Sequence, residues 1–212
     1  MKKTSGQTHD MVMMVVALTV VTLVATLLLG VTDLVTREPI HDAQRAMLHR
    51  TLEQVLPPHA NSPMDDQVTV KRDGKPIPVY VARDGSGRIV AFAWVVVAPD
   101  GYSGAIHILL GVKPNGSIYA VRVTEHQETP GLGDGIVRNK PWVHSFSGKT
   151  LENTRWAVKK DGGDFDQFTG ATITPRAVVK AVKQGLEFFQ ARRKMLLHEA
   201  RQSASSSREV VQ

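Results

Sequence analysis

Residues 88–123 read RIVAFAWVVVAPDGYSGAIHILLGVKPNGSIYAVRV. Three runs rich in Val, Ile and aromatic residues are parted by Asp100-Gly101 and Asn115-Gly116, dipeptides suited to the positive φ of tight turns. Two more runs precede them, VTV at 68–70 and IPVYVA at 77–82, set off by Asp73-Gly74 and Asp84-Gly85. Five such runs with short connections predict an antiparallel meander. Beyond Thr174 the period lengthens to that of a helix: Val178, Val182, Leu186 and Phe189 share one face, and the basic residues mostly lie elsewhere. The fold class read from this pattern is α+β, an antiparallel sheet domain packed with helices.

The sheet domain is preceded by a segment of different character. Residues 11–30, MVMMVVALTVVTLVATLLLG, hold no charge and no proline, and their polar side chains are Thr19, Thr22 and Thr26. At about 1.5 Å per residue they span roughly 30 Å, the thickness of a bilayer's hydrocarbon core. A cleaved signal carries roughly 7–15 apolar residues before an A-x-A-like site. The sequence that follows here, LLLGVTDLVTREP, offers no such site. The expected layout is a cytoplasmic tail over 1–10, a transmembrane helix over 11–32, a membrane-proximal helix and linker over 33–63, a cofactor domain over 64–198 and a flexible tail over 199–212. Ile40, Ala43, Met47, Leu52 and Leu56 recur at near-helical spacing within the third segment, until Pro57 and Pro58 stop them. Long domains translocate largely regardless of flanking charge. The N-terminus is therefore read as cytoplasmic and the domain as periplasmic or extracellular, on a single-pass membrane protein in contact with lipid.

Composition excludes some chemistry. The chain of 212 residues has no cysteine, so it supplies no disulfide, thiolate ligand or iron–sulfur cluster, and a redox role needs another cofactor. The net charge of +6 is concentrated in residues 176–201, where seven basic residues stand against Glu187 and Glu199. Phe188 and Phe189 are the aromatics of that stretch, too few for a nucleic-acid surface, so it reads as a solvated helix face and no nucleic-acid partner is expected. The eight histidines are scattered without H-x-x-x-H or H-E-x-x-H spacing, and no metal site is expected.

Residues 166–175, DQFTGATITP, set three threonines around a Gly-Ala pair and end on proline. Thr174-Pro175 reads as a helix start, with threonine as N-cap and proline at the first helical position. A hydroxyl there faces free N–H groups and the positive end of the helix dipole, which suits a phosphate, including one esterified to that oxygen. Gly170 and Ala171 leave space for a bulky group. A plain capped helix after a small-residue turn satisfies the same pattern. Residues 128–133, ETPGLG, are by themselves ordinary loop chemistry.

Together these stretches carry a resemblance. Asp166, Thr169, Gly170, Ala171, Thr172 and Thr174 match every fixed position of D-x-x-[ST]-G-A-T-x-T, the flavinylation motif of the FMN-binding domain family, and Glu128 to Gly133 resemble its second hallmark. The runs Gly101 to Gly104 and Ile108 to Val112, with Trp142, Phe146 and Gly148, resemble its strand and linker positions. The likeness spans about residues 11–195. It is nearest to the G subunits of Rnf-type ion-translocating oxidoreductases, which couple electron transfer between ferredoxin and NAD to ion transport. The C subunits of sodium-translocating NADH:quinone oxidoreductases share both motifs. The resemblance implies covalent FMN in phosphoester linkage to Thr174, installed by a flavin transferase that uses FAD. It implies Thr169, Gly170, Ala171 and Thr172 as cofactor-binding residues, with Glu128, Thr129, Pro130, Gly131, Leu132 and Gly133 as a loop whose backbone lies against the flavin ring. It further implies an electron-transfer subunit with no substrate chemistry alone and no catalytic residue of its own, working with other membrane and redox subunits of a translocase. The alternatives are the equivalent flavin subunit of a sodium-translocating NADH:quinone oxidoreductase and a non-redox assembly subunit.

Overall fold

The computed structural model describes residues 4–72 and 74–209. The first three residues of the expected tail, Asp73 of the expected Asp73-Gly74 turn, and residues 210–212 lie outside the described residues. The chain forms two compact units, 1–48 and 49–212.

The first unit is made by α1 (Thr4–Val55), whose last residues enter the second. Its apolar side chains from Met11 to Val35 are exposed. The threonines among them return their hydroxyl protons to the helix. Thr19, Thr22 and Thr26 each donate to the carbonyl four residues back at 2.8 Å. A polar group satisfied inside its own helix is what a lipid environment demands. The helix also runs through Pro39, so the expected division into helices before and after residue 32 is not seen. Proline removes one backbone donor without ending the helix here. Deletion of residues 1–48 should leave a chain that fractionates with the aqueous phase, whereas the full chain sediments with membranes. Retention of the truncated chain in washed membranes without partners would contradict a single anchor.

In the second unit the predicted meander is found. Strands β1 (Gln67–Arg72), β2 (Lys75–Arg83), β3 (Ile89–Ala98), β4 (Ile106–Val112) and β5 (Ile118–Glu125) form one antiparallel sheet in the order β1-β2-β3-β4-β5. Alternation decides the faces. Phe92, Trp94, Val96 and Ala98 of β3 and Ile106, Ile108, Leu110 and Val112 of β4 point into the core. There they meet Val178, Val182, Leu186 and Phe189 of α4 (Ile173–Glu209), with Phe189 stacked on Trp94 at 5.9 Å and 13°. On the opposite face Ala91, Ala93 and Gly111 are small, and Leu52, Val55 and Leu56 are buried in the same unit. The second compact unit thus includes residues 49–63, the end of α1 and the linker, along with the sheet.

Helix α4 outlasts its expected end. It continues to Glu209, past the proposed flexible tail at 199, because Leu196 and Ala200 are still buried and the carbonyl of Ala200 accepts a bond from the buried Arg83. That arginine also donates from Nε to Asp66 Oδ2 at 2.5 Å, and Asn61 donates to the same carboxylate at 3.0 Å. Between Leu196 and Ser203 the helix is held by packing and by the buried Arg83 cation.

Candidate functional site

Between β5 and α4 the chain builds a platform of aromatic side chains. The short helices α2 (Gly135–Arg138) and α3 (Lys140–His144) follow β5, and Trp142 of α3 packs edge-on against Phe146 and Phe168, both with ring centroids 5.1 Å away. Phe146 in turn lies 4.5 Å from Phe165. Trp142 also donates from Nε1 to the carbonyl of Asp166 at 2.8 Å, which fixes the start of the threonine-rich loop. Trp142 and Phe146 thus support the site from beneath. Asp166 itself is exposed and paired with Lys159 at 2.6 Å.

The two motif loops then make the same turn. In one, Leu132 N–H donates to Thr129 carbonyl at 3.1 Å, with Pro130 second and Gly131 third at φ +80°. In the other, Ala171 N–H donates to Phe168 carbonyl at 3.1 Å, with Gly170 third at φ +77°. Positive φ at the third position is the type II pattern, and it selects glycine in both. The turns touch. A Cβ placed on Gly170 would stand 3.4 Å from Leu132 Cδ2.

Beneath the contact lies Thr174. The first helical residue of α4 is Ile173, so Thr174 is the second residue of the helix and does not cap it, contrary to the expected start. Its hydroxyl turns inward and donates to Glu128 Oε2. Glu128 Oε1 accepts from Ser103 N–H at 3.0 Å. Both side chains are buried, Thr174 with 1% and Glu128 with 4% of its surface exposed. Gly133 makes the room: a Cβ there would lie 2.6 Å from Glu128 Oε2 and 2.9 Å from Thr174 Oγ1.

Above this pair opens a cavity of about 150 Å³ lined by Tyr102, Glu128, Thr129, Leu132, Gly133 and residues 170–174. Pockets that enclose a drug-sized ligand run to roughly 300–1,000 Å³. This one is the size for a phosphate and part of its chain, with the remainder of a large ligand at the rim. The rim is apolar. Tyr102 is 69%, Leu132 46% and Ile173 48% exposed, a group of large side chains left uncovered around one opening. An anion inside would meet the free N–H groups and positive dipole of a long helix's first turn. The nearby cations are engaged elsewhere. Arg176 binds Asp161 through Nη2 at 2.7 Å, which holds that carboxyl below its usual range and raises the guanidinium in turn. Lys180 pairs with Asp100 at 2.6 Å.

The structure brings Glu128, Thr129, Leu132, Gly133, Gly170, Ala171, Thr172 and Thr174 to one cavity wall. Pro130, Gly131 and Thr169 sit on the exposed turns and do not line it. Ile173 and Ser103 carry no signal in the sequence, and Tyr102 stands at the rim of the cavity. A hydrophobic residue between two threonines gives no sign of exposure, and Ser103 acts through its backbone.

Known proteins share this geometry's sequence. The family model for the FMN-binding domain matches residues 101–187, which contain every residue of the cavity, and that for the RnfG N-terminal region matches residues 3–55. The G subunit of the ion-translocating oxidoreductase complex of Pseudomonas aeruginosa is 50% identical over 76% of this chain and 80% of its own. This chain belongs to that family. The corresponding G subunits of Vibrio atlanticus, 44% identical over 80% of this chain and 86% of that protein, and of Shewanella loihica, 43% identical over 83% and 88%, are further members. The crystal structure of Shewanella oneidensis NqrC aligns with 62% of this chain and 69% of its own at a TM-score of 0.46 and 26% identity, too loose a likeness to carry an argument. Family membership gives an FMN-binding domain behind an N-terminal apolar helix, in a subunit of an oxidoreductase complex. The exposed apolar rim suits the ring end of FMN and the first turn of α4 its phosphate end, while the Glu128 carboxyl at the floor has both oxygens engaged by Thr174 and Ser103.

Proposed function

We propose that this chain is the membrane-anchored electron-transfer subunit of an Rnf-type ion-translocating oxidoreductase complex, and that it carries FMN as a phosphoester on Thr174. The observation that carries the reading is the position of the Thr174 hydroxyl. It lies on the floor of the cavity where both motif loops meet, in the first turn of α4. In this reading the phosphate occupies the cavity near the helix N-terminus, where dipole and free N–H groups favour it. Leu132, Ile173 and Tyr102 at the rim give the isoalloxazine an apolar resting place, and the backbone of residues 128–133 borders it. A flavin supplies one- and two-electron chemistry; the chain's residues hold and orient it. With no charged residue between Met11 and Thr32, the anchor offers no ion path, so ion movement belongs to partner subunits of the complex. A flavin transferase acts on the chain during maturation, and lipid surrounds the apolar stretch of α1 from Met11 to Thr32. The N-terminus is cytoplasmic and the FMN domain periplasmic, at the bacterial inner membrane.

The deciding experiment is co-expression of the full chain with a flavin transferase, followed by acid precipitation, intact-mass spectrometry and peptide mapping. The expected result is a yellow pellet, a mass raised by one FMN less one water, and the adduct on the peptide holding Thr174. A colourless pellet and an unshifted mass would overturn the reading.

Gly133→Ala is expected to impair the same reaction without touching the acceptor. Its Cβ would intrude on both Glu128 Oε2 and Thr174 Oγ1, so one of the pair must move. We expect adduct formation to slow by about tenfold or more, since small misplacements of reacting groups can cost up to about 100-fold. A time course of adduct mass against the unaltered chain checks it.

A further inference from the structure

We propose that Glu128 is the general base of flavin attachment, its Oε2 taking the hydroxyl proton of Thr174 as Oγ1 bonds to phosphorus. The inference rests on the attachment reading above and adds to it a group on the acceptor chain that activates its own nucleophile. An alcohol is a weak nucleophile at neutral pH and needs an adjacent base within hydrogen-bond reach. Thr174 has one: its Oγ1–H already points at Glu128 Oε2. The other carboxyl oxygen is fixed by Ser103 N–H at 3.0 Å, so the base is itself oriented by a third group. Glu128 stands 46 residues from Thr174 in sequence, and the ETPGLG turn is what delivers it.

The surroundings are specific to this pairing. Gly101 and Gly133 flank the carboxyl, and a Cβ on either would come within 3.0 Å of one of its oxygens. An amide of the same shape has a single acceptor oxygen: with that oxygen toward Ser103 N–H, its NH2 would face Thr174 Oγ1 and could only donate. A carboxyl group answers both donors, which offsets the cost of burying it and leaves Oε2 as the proton acceptor facing Thr174. The step balances without redox change. The Thr174 Oγ1–P bond forms to the flavin-side phosphorus of FAD, and the diphosphate P–O bond breaks. AMP leaves with the bridging oxygen and its electron pair, and the hydroxyl proton rests on Glu128. A positioned general base contributes about 10² to 10⁴ in rate.

The test uses the full chain in detergent, a purified flavin transferase and FAD, with adduct formation followed by intact mass. A base and a structural tether rank two variants in opposite order. Glu128→Gln keeps the shape and a tether, its oxygen accepting from Ser103 N–H and its NH2 donating to Thr174 Oγ1, but loses the proton acceptor, whereas Glu128→Asp keeps the carboxyl at a shorter reach. The expected result is labelling of the Gln variant about 100-fold or more below the unaltered chain, with the Asp variant clearly faster than Gln. Gln labelled at the unaltered rate, or faster than Asp, overturns the proposal alone. Failure of the unaltered chain to label, or labelling away from Thr174, overturns the attachment reading instead. Should circular dichroism show that the Gln variant does not fold, Glu128→Ala decides: added formate restores labelling if a carboxylate base is missing, and no effect of formate overturns the proposal.

Discussion

Thr174→Ala, co-expressed with a flavin transferase, is expected to emerge folded and with no FMN adduct at all. The acceptor oxygen is the one hydroxyl of the loop that turns into the buried floor. Thr169 is exposed on the turn, and Thr172 is half-buried on the cavity wall. Neither can replace it without moving the turn that Gly170 fixes at φ +77°. The fold should survive. Removing the hydroxyl leaves Glu128 Oε2 buried without its donor, worth about 1–3 kcal/mol. For a unit of this size that lowers the thermal midpoint by about 2–12 °C. Thr174→Ser restores both the donor and the acceptor and should load. Thr172→Ala should load more slowly than the unaltered chain while keeping the adduct on residue 174. Intact mass and peptide mapping of the three variants decide the matter. An adduct persisting on Thr174→Ala would mean that another oxygen is the acceptor.

The sequence alone places Thr174 at an exposed cap. Thr174-Pro175 has the chemistry of a cap followed by a first helical residue. The first four N–H groups of a helix lack partners, so proline is as tolerable at the third position as at the first. The motif alone therefore leaves the start of the helix free by two residues. Packing chose the earlier one, and it turned Thr174 from a cap exposed at the helix end into a buried donor to Glu128. By contrast, the strands were legible because each is a short run rich in Val, Ile and aromatic residues bounded by a glycine-containing connection; β1 alternates, whereas β3 and β4 are buried on both faces, and the positive φ falls at Gly87 and Gly104 instead of Gly85 and Gly101. Pro130-Gly131 and Thr169-Gly170 were legible as turns for the same local reason. What joins those turns is non-local. The Glu128–Thr174 bond and the contact of Leu132 with Gly170 follow from the path of β5, α2 and α3, which no window of sequence contains. The continuation of α4 beyond residue 199 was hidden likewise, because Arg83, far away in the chain, satisfies the carbonyl of Ala200.

Gly111→Val should be strongly destabilising, although it lies outside the site. Gly111 is the last residue but one of β4, where glycine weakens a strand unless another backbone comes close. One does. A Cβ on Gly111 would stand 1.8 Å from the carbonyl oxygen of Val55 and 2.8 Å from its carbonyl carbon. These are the last backbone atoms of α1, followed at once by Pro57 and Pro58, and Leu52, Val55 and Leu56 around them are buried. Neither side can yield: β4 is held between β3 and β5, and the overlap is with backbone instead of a side chain that could change rotamer. Overpacking a tight core costs about 1–3 kcal/mol where side chains can adjust. Here the end of α1 must leave the sheet, uncovering three buried aliphatic side chains worth about 1.5–3 kcal/mol each. A loss above about 3 kcal/mol lowers the thermal midpoint by more than about 6 °C for a unit of this length. Gly30→Ala is the control, since no atom lies within 4 Å of a Cβ there and alanine favours the helix. Thermal unfolding of both full-length variants in detergent separates the cases. An unchanged midpoint for Gly111→Val would show that the end of α1 does not lie against β4, and that the sheet's small-residue face is covered in some other way.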